Sequence, residues 1–221
     1  MAIPLLVDRA VLGLNAATSD EDRYSGRPLS CVRVTASHAE ATNGHYLLRV
    51  PMPKDDPADW PITAGPNGTG ETPAETLIPA ATAAAMLKTI PKPIRHGAMP
   101  ILQHAALYKV GNCIEGYTTD AENVGTFRVP AIDGKFPDSA SVIPDDEIVV
   151  QGDTRHRTVT LSATYLRDIA NYVIKHADRR NPSIRLTVGT NSEGDPVRLE
   201  FYLEDADRTA TGALMPMRGR P

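Results

Sequence analysis

The chain has 221 residues, 41% of them apolar and 23% charged, with a net charge of −4, two cysteines and few aromatics. It is long enough to bury a real core in one large or two small domains, and too acidic overall to be a general polycation, so any contact with nucleic acid must come from a local basic patch. No apolar run approaches the ~20 residues that span a bilayer, and the run Ile3–Val7 is broken by Asp8-Arg9 with no basic residue ahead of it, which does not read as a leader. Cys31 and Cys113 sit inside strand-like apolar runs, as reduced buried thiols do; a cytoplasmic protein with no membrane partner is expected.

In chain order, Asp8 is a good N-cap for a first helix reaching about Ala17, with Ala10, Val11 and Leu14 toward one face. Strands are expected over Leu29–Ala36 and Glu40–Val50. Pro53–Ala74, rich in Pro, Gly, Asp and Thr, reads as a mobile surface loop with Trp60 its one large apolar group. Pro79, suited to a first helical position, opens a second helix to Ile90, striped by Ala83, Met86, Leu87 and Ile90 and stopped by Pro91. Ala105–Val110 and Cys113–Tyr117 form a hairpin about Gly111-Asn112, a two-residue turn suited to positive φ, followed by a strand at Val124–Val129. Ile132–Asp146 reads as an extended linker. After Ser162 a third helix carries Leu166, Ile169, Ala170, Val173 and Ile174 at helical spacing. Ile184–Val188, Val197–Leu203 and Thr209–Met215 follow as strands, the second alternating Val197, Leu199, Phe201 and Leu203 against polar residues.

One unit is thus used three times: strand, helix, three strands. The helices start near residues 8, 79 and 163, about 70–85 residues apart. The expected class is α+β, with helices on one face of antiparallel sheets. The chain should end on Leu214-Met215-Pro216-Met217-Arg218, where Pro216 cannot serve a central strand and the methionines suit an adaptable groove; an apolar tail closing the core is the other reading of these residues.

Four stretches resemble the bacterial β sliding clamp, the processivity factor of a replicative polymerase. Ala41-Thr42-Asn43-Gly44-His45-Tyr46-Leu47 is similar to that family's A-T-D-G-H-x-L. Ile132-Asp133-Gly134-Lys135-Phe136-Pro137-Asp138 with Val142-Ile143-Pro144 is similar to its D-G-x-F-P-x-Y…V-[IL]-P linker. Leu77-Ile78-Pro79-Ala80 resembles the strand-to-helix step in its middle domain, and Leu214–Arg218 its terminal V-M-P-M-R-L. The resemblance implies a DNA-clamp fold of βαβββ units. Residues 1–144 resemble the complete middle domain, and about 158–218, within a single-unit domain 145–221, the second half of the last. Departures are Ser139 for the linker tyrosine and Tyr46 for the arginine after His45; the chain also continues past Arg218.

From the resemblance follow the expected partners. Duplex DNA would pass, without sequence readout, through a ring lined by helices. The cations for it are Arg167, Lys175, Arg179 and Arg180 of the third helix and its exit, set against Asp168 and Asp178. Lys88, Lys92 and Arg95 of the second, and Arg9 of the first, add to them. A polymerase would be held by a short linear peptide in a groove made by Thr42, Gly44, His45, Tyr46, Leu47, Pro144, Leu214, Met215, Pro216, Met217 and Arg218. Since a ring of twelve units needs four copies of three, a homotetramer is the first expectation, with a dimer or trimer open. A clamp loader is a further possible partner, and so reduced a subunit suits a phage or mobile element. The alternative is a clamp-derived adaptor or decoy that binds polymerase peptides without closing a ring. An enzyme is not expected: the six histidines and two cysteines show no metal spacing, no phosphate loop or nucleophile elbow is present, and Asp20-Glu21-Asp22 reads as a solvated loop. No metal or cofactor is expected.

Overall fold

A computed structural model describes residues 3–19, 28–61, 70–91, 99–143, 159–177, 182–188, 195–203 and 208–217. The first unit is strand β1 (Leu5–Asp8), helix α1 (Arg9–Gly13) running on as a 3-10 turn to Ala17, and strands β2 (Cys31–Thr35), β3 (His38–Thr42) and β4 (Tyr46–Pro51). The second is β5 (Glu75–Pro79), α2 (Ala80–Thr89), β6 (His104–Val110), β7 (Cys113–Thr119) and β8 (Val124–Pro130). The third supplies α3 (Ala163–His176), β9 (Arg185–Val188), β10 (Val197–Tyr202) and β11 (Thr209–Leu214). The first two units each have a leading strand, a helix and three strands; among the described residues the third has its helix and three strands but no leading strand. All strand pairs are antiparallel.

The helix starts follow from their caps. The Asp8 carboxylate accepts from Val11 N at 2.8 Å, and Ser162 Oγ accepts from Tyr165 N at 3.4 Å, each satisfying an amide the helix cannot. Pro79 sits one residue before α2, at the cap, rather than inside its first turn.

The units are not independent. β1 joins the edge of β6, giving the sheet β1-β6-β7-β8, while β5 joins β2, so the first two units exchange their leading strands. The second sheet, β5-β2-β3-β4-β11-β10-β9, crosses from the first unit to the third through the pairing of β4 with β11, Tyr46 opposite Leu214 and Arg49 opposite Thr211. Between sheets and helices lies one apolar core: Val7, Val11, Leu12 and Leu14 with Val32, Leu48 and Ile78, Met86, Leu107, Ile169, Val173, Leu199, Phe201 and Leu214.

Three expectations are corrected. Glu40–Val50 is not one strand but the hairpin β3–β4, broken at Asn43-Gly44; Gly44 takes φ 86°, a region only glycine enters freely. On α3 the buried face is Ile169, Tyr172 and Val173, and Ile174 is 63% exposed. The tyrosine displaces the isoleucine because its hydroxyl has a partner in the core, Ala10 O at 2.6 Å. The loop after β4 is anchored: Trp60 is buried with Leu6, Ile101, Ala106, Tyr108 and Tyr117 on the outer face of the four-stranded sheet. Residues 62–69 of that loop lie outside the described residues. Neither cysteine is in a disulfide; Cys31 is buried and Cys113 only half-buried at the β6–β7 turn.

The outer face of the seven-stranded sheet is covered by the linker. Phe136 packs on Cys31 and Leu77, and the Arg33 guanidinium lies 5.9 Å over its ring. Beside them Glu40, fully buried, accepts from Arg33 at 2.8 Å and Arg49 at 3.1 Å, and Arg49 donates to Ser139 Oγ at 2.5 Å. Ser139, which stands at the family's tyrosine position, is thus a buried hydrogen-bond acceptor.

Two buried polar contacts tie the third unit to the first. Arg208, just before β11, pairs with the capping carboxylate of Asp8 and donates to Pro51 O at 2.9 Å. His176 lies against Gly13, where a Cβ would fall 2.3 Å from its Nε2, and stacks on Tyr172. Burial pushes the His176 pKa down from 6.5 to about 4.

Asp8→Asn keeps the cap acceptor but strands the Arg208 charge, and is expected to cost about 3–5 kcal/mol, read from the urea midpoint; Asp8→Asn with Arg208→Met should recover part of it. Because the unfolded chain protonates His176 near pH 6.5 and the folded chain only near 4, stability should fall as pH drops through that window, by up to ~3 kcal/mol, and level off below it. His176→Leu should flatten the decline in denaturation curves taken across pH 7 to 4.

Candidate peptide and DNA surfaces

The β3–β4 turn is locked by its own side chains. Thr42 Oγ1 donates to Tyr46 O at 2.7 Å and accepts from Gly44 N at 3.1 Å, and Asn43 Oδ1 accepts from the amides of His45 (3.0 Å) and Tyr46 (3.1 Å). This is the Asx-type closure that a Thr-Asn-Gly sequence favours. Gly44 and His45 are left exposed, while Thr42, Tyr46 and Leu47 are buried. Tyr46 points inward, its hydroxyl donating to Ala16 O at 3.4 Å, and burial raises its pKa to about 12.

β11 brings the C-terminal segment to this turn. Beyond Leu214, which is fully buried opposite Tyr46, Met215 N donates to His45 O at 3.0 Å and Met217 N to Thr160 O at 2.8 Å. Strand pairing stops where Pro216 removes a donor. Met215 and Met217 are 39% and 52% exposed. Within the tail, Leu214 closes the core while the two methionines lie on the surface. His45 stacks on Tyr165 of α3, ring centres 4.9 Å apart, and Tyr46 meets the same ring at a tilt, 5.8 Å between centres. Tyr165 and Asn43 belong to this surface although no resemblance assigned them. Asn43 was legible as a turn former, whereas Tyr165 is joined to His45 only by long-range folding. Pro144 and Arg218 lie outside the described residues.

The arrangement offers a polarizable, conformationally adaptable apolar strip, Met215 and Met217, beside a rigid turn with exposed backbone at Gly44 and an aromatic pair at His45–Tyr165. Such a surface suits an extended peptide with aliphatic or aromatic side chains. Among the described residues no His, Cys, Asp and Glu cluster fit for a metal is present, and no helix is long and apolar enough to cross a membrane.

The three helices lie together, α1 against both α2 and α3. The exposed side of α3 is Ala163, Thr164, Arg167, Asn171, Ile174 and Lys175, and Lys88 is exposed in the last turn of α2. Arg167 is partly neutralised by Asp168, 2.9 Å away. Arg9 is held differently from the others: its guanidinium donates to Leu87 O (3.2 Å) and Ile90 O (2.9 Å), capping the C-terminus of α2, and burial lowers its pKa. Its first task is therefore joining α1 to α2. Lys92, Arg95, Arg179 and Arg180 lie outside the described residues.

No family model matches the sequence, and no curated protein is similar to it in sequence. Solved structures do match in architecture. The Helicobacter pylori β clamp in complex with diflunisal is 10% identical over 99% of this chain and 68% of that one, with a TM-score of 0.60. Its complex with carprofen aligns over the same shares at the same identity with a TM-score of 0.50. Caulobacter crescentus polymerase III β is 20% identical over 99% of this chain, with a TM-score of 0.40, and this chain spans 52% of its length. By these alignments over nearly its whole length, the chain has the fold of the bacterial β sliding clamps.

Proposed function

We propose that the chain is a reduced DNA sliding clamp: a non-enzymatic homo-oligomeric ring that encircles duplex DNA without reading sequence and tethers a polymerase through a short peptide. The observation that carries this reading is the meeting of two distant segments at the β4–β11 joint. There the Thr42–Leu47 turn and the Leu214–Met217 tail form one surface, with the methionines exposed while the residue before them is buried. A tail serving only as core would bury all of its apolar residues. The lumen reading is supported by exposed Lys88, Arg167 and Lys175 on helices that share one side of an otherwise acidic chain. A mobile surface charge is sufficient for phosphate contact. The tetramer, the peptide partner and any loader belong to this proposal, as does the cytoplasmic setting.

Met215→Asp with Met217→Asp should weaken binding of a fluorescent polymerase-tail peptide at least tenfold in anisotropy titrations while the assembled mass stays unchanged; undiminished binding would place the groove elsewhere. Charge reversal at Arg167, Lys175, Arg179 and Arg180 should shorten retention on nicked circular DNA and reduce the salt slope of binding by roughly 0.9 for each phosphate that is no longer neutralised. Native mass spectrometry that found only monomer at every concentration would remove the ring and leave a peptide-binding adaptor.

A further inference from the structure

In the first two units each leading strand leaves its own unit and adds to the edge of the other's three strands. β1 lies on β6 and β5 on β2. The register is the same both times, with the helix-capping residue opposite the first residue of the receiving strand: Asp8 opposite His104, Pro79 opposite Cys31. Among the described residues the third unit has no such counterpart, and its receiving strand β9 is bonded on one side only, to β10. Its leading segment, Val159-Thr160-Leu161 before the cap Ser162, belongs to no sheet. Both other receiving edges are already occupied, β2 by β5 and β6 by β1. On the open edge a large apolar side chain stands in solvent, Leu186 of β9 at 46% exposure, where a paired unit would be expected to cover it.

We infer that a second copy of this chain occupies the β9 edge, the two third units exchanging their leading segments about a two-fold axis as the first two units do within one chain. The arrangement is isologous, so one contact satisfies both open positions at once. The register of the other two units sets the pairing: Ser162 opposite Arg185 of the second copy, Leu161 opposite Leu186, Thr160 opposite Thr187 and Val159 opposite Val188. The Met217 hydrogen bond to Thr160 O uses one side of the leading segment, and the backbone groups of Val159 and Leu161, which alternate with it, are left for the other. The exchange converts two half-domains into a complete one, placing an even number of copies in any closed assembly.

The test mixes two singly substituted chains, Thr160→Cys and Thr187→Cys, under mild oxidation, with the parent chain as blank since Cys31 is buried and Cys113 half-buried. A disulfide-linked dimer formed by the mixture and by neither variant alone is the expected result; its absence overturns the exchange. Leu186→Lys, at an exposed position of β9, should at least halve the assembled mass in native mass spectrometry with the circular dichroism of the fold retained, and an unchanged mass also overturns it. The outcomes separate this from the ring: a cross-linked dimer with nothing larger supports the exchange and removes the ring, whereas a ring without the cross-link does the reverse.

Discussion

The antiparallel contact of β4 with β11 is the constraint on which the molecule depends. It makes one sheet of two units that are far apart in sequence, and it permits no side chain at its centre. A Cβ on Gly212 would stand 2.4 Å from Leu47 O, a backbone atom that cannot swing away. With the strands this close, Leu214 enters the core opposite Tyr46, the chain beyond it is laid beside the β3–β4 turn, and α3 is brought down onto α1. The candidate peptide surface is a by-product of that joint: it begins at the residue where strand pairing ends.

Charge is used in two ways in the chain. Buried charges fix geometry. Asp8 caps α1 while holding Arg208, and Glu40 gathers Arg33 and Arg49 under the linker that carries Phe136 and Ser139. Such groups add little net stability against an apolar replacement but are costly to leave half-paired, so they select one arrangement of the units. Arg9 belongs with these, since its donors are committed to the end of α2. The exposed cations Lys88, Arg167 and Lys175 have no such role in packing; Arg167 pairs only with its exposed neighbour Asp168.

Much of the local structure was legible in the sequence because local rules decide it. Asp8 and Ser162 as caps, Gly111-Asn112 as a two-residue turn and the alternation in β10 each depend on a few neighbouring residues. Misreadings arose where a distant partner decided. Asn43-Gly44 was absorbed into a long apolar strand because both flanks are strand-like. Ile174 fitted the helical period of α3 as well as Tyr172 did, and only the carbonyl of Ala10 separates them. Trp60 looked solitary in its loop, yet the apolar outer face it covers is assembled from β1, β6 and β7. At the candidate site the turn and the tail carried motifs and were found. Tyr165 carried none, because its stacking on His45 exists only once α3 and β4 have met.

The Asp8–Arg208 pair, 200 positions apart along the chain, also bears on how the protein comes to be made. During synthesis Asp8 emerges 200 residues ahead of the arginine that neutralises it, and β4 likewise precedes by far β11, the neighbour that shields it. Until then the newborn polypeptide carries an open strand edge and an unmatched carboxylate at the heart of its future interior. Contacts of such long range are slow to form, and bare edges invite unintended pairing. Emergence of the third unit, rather than the appearance of the first two, is therefore the event that lets this chain commit to its native form.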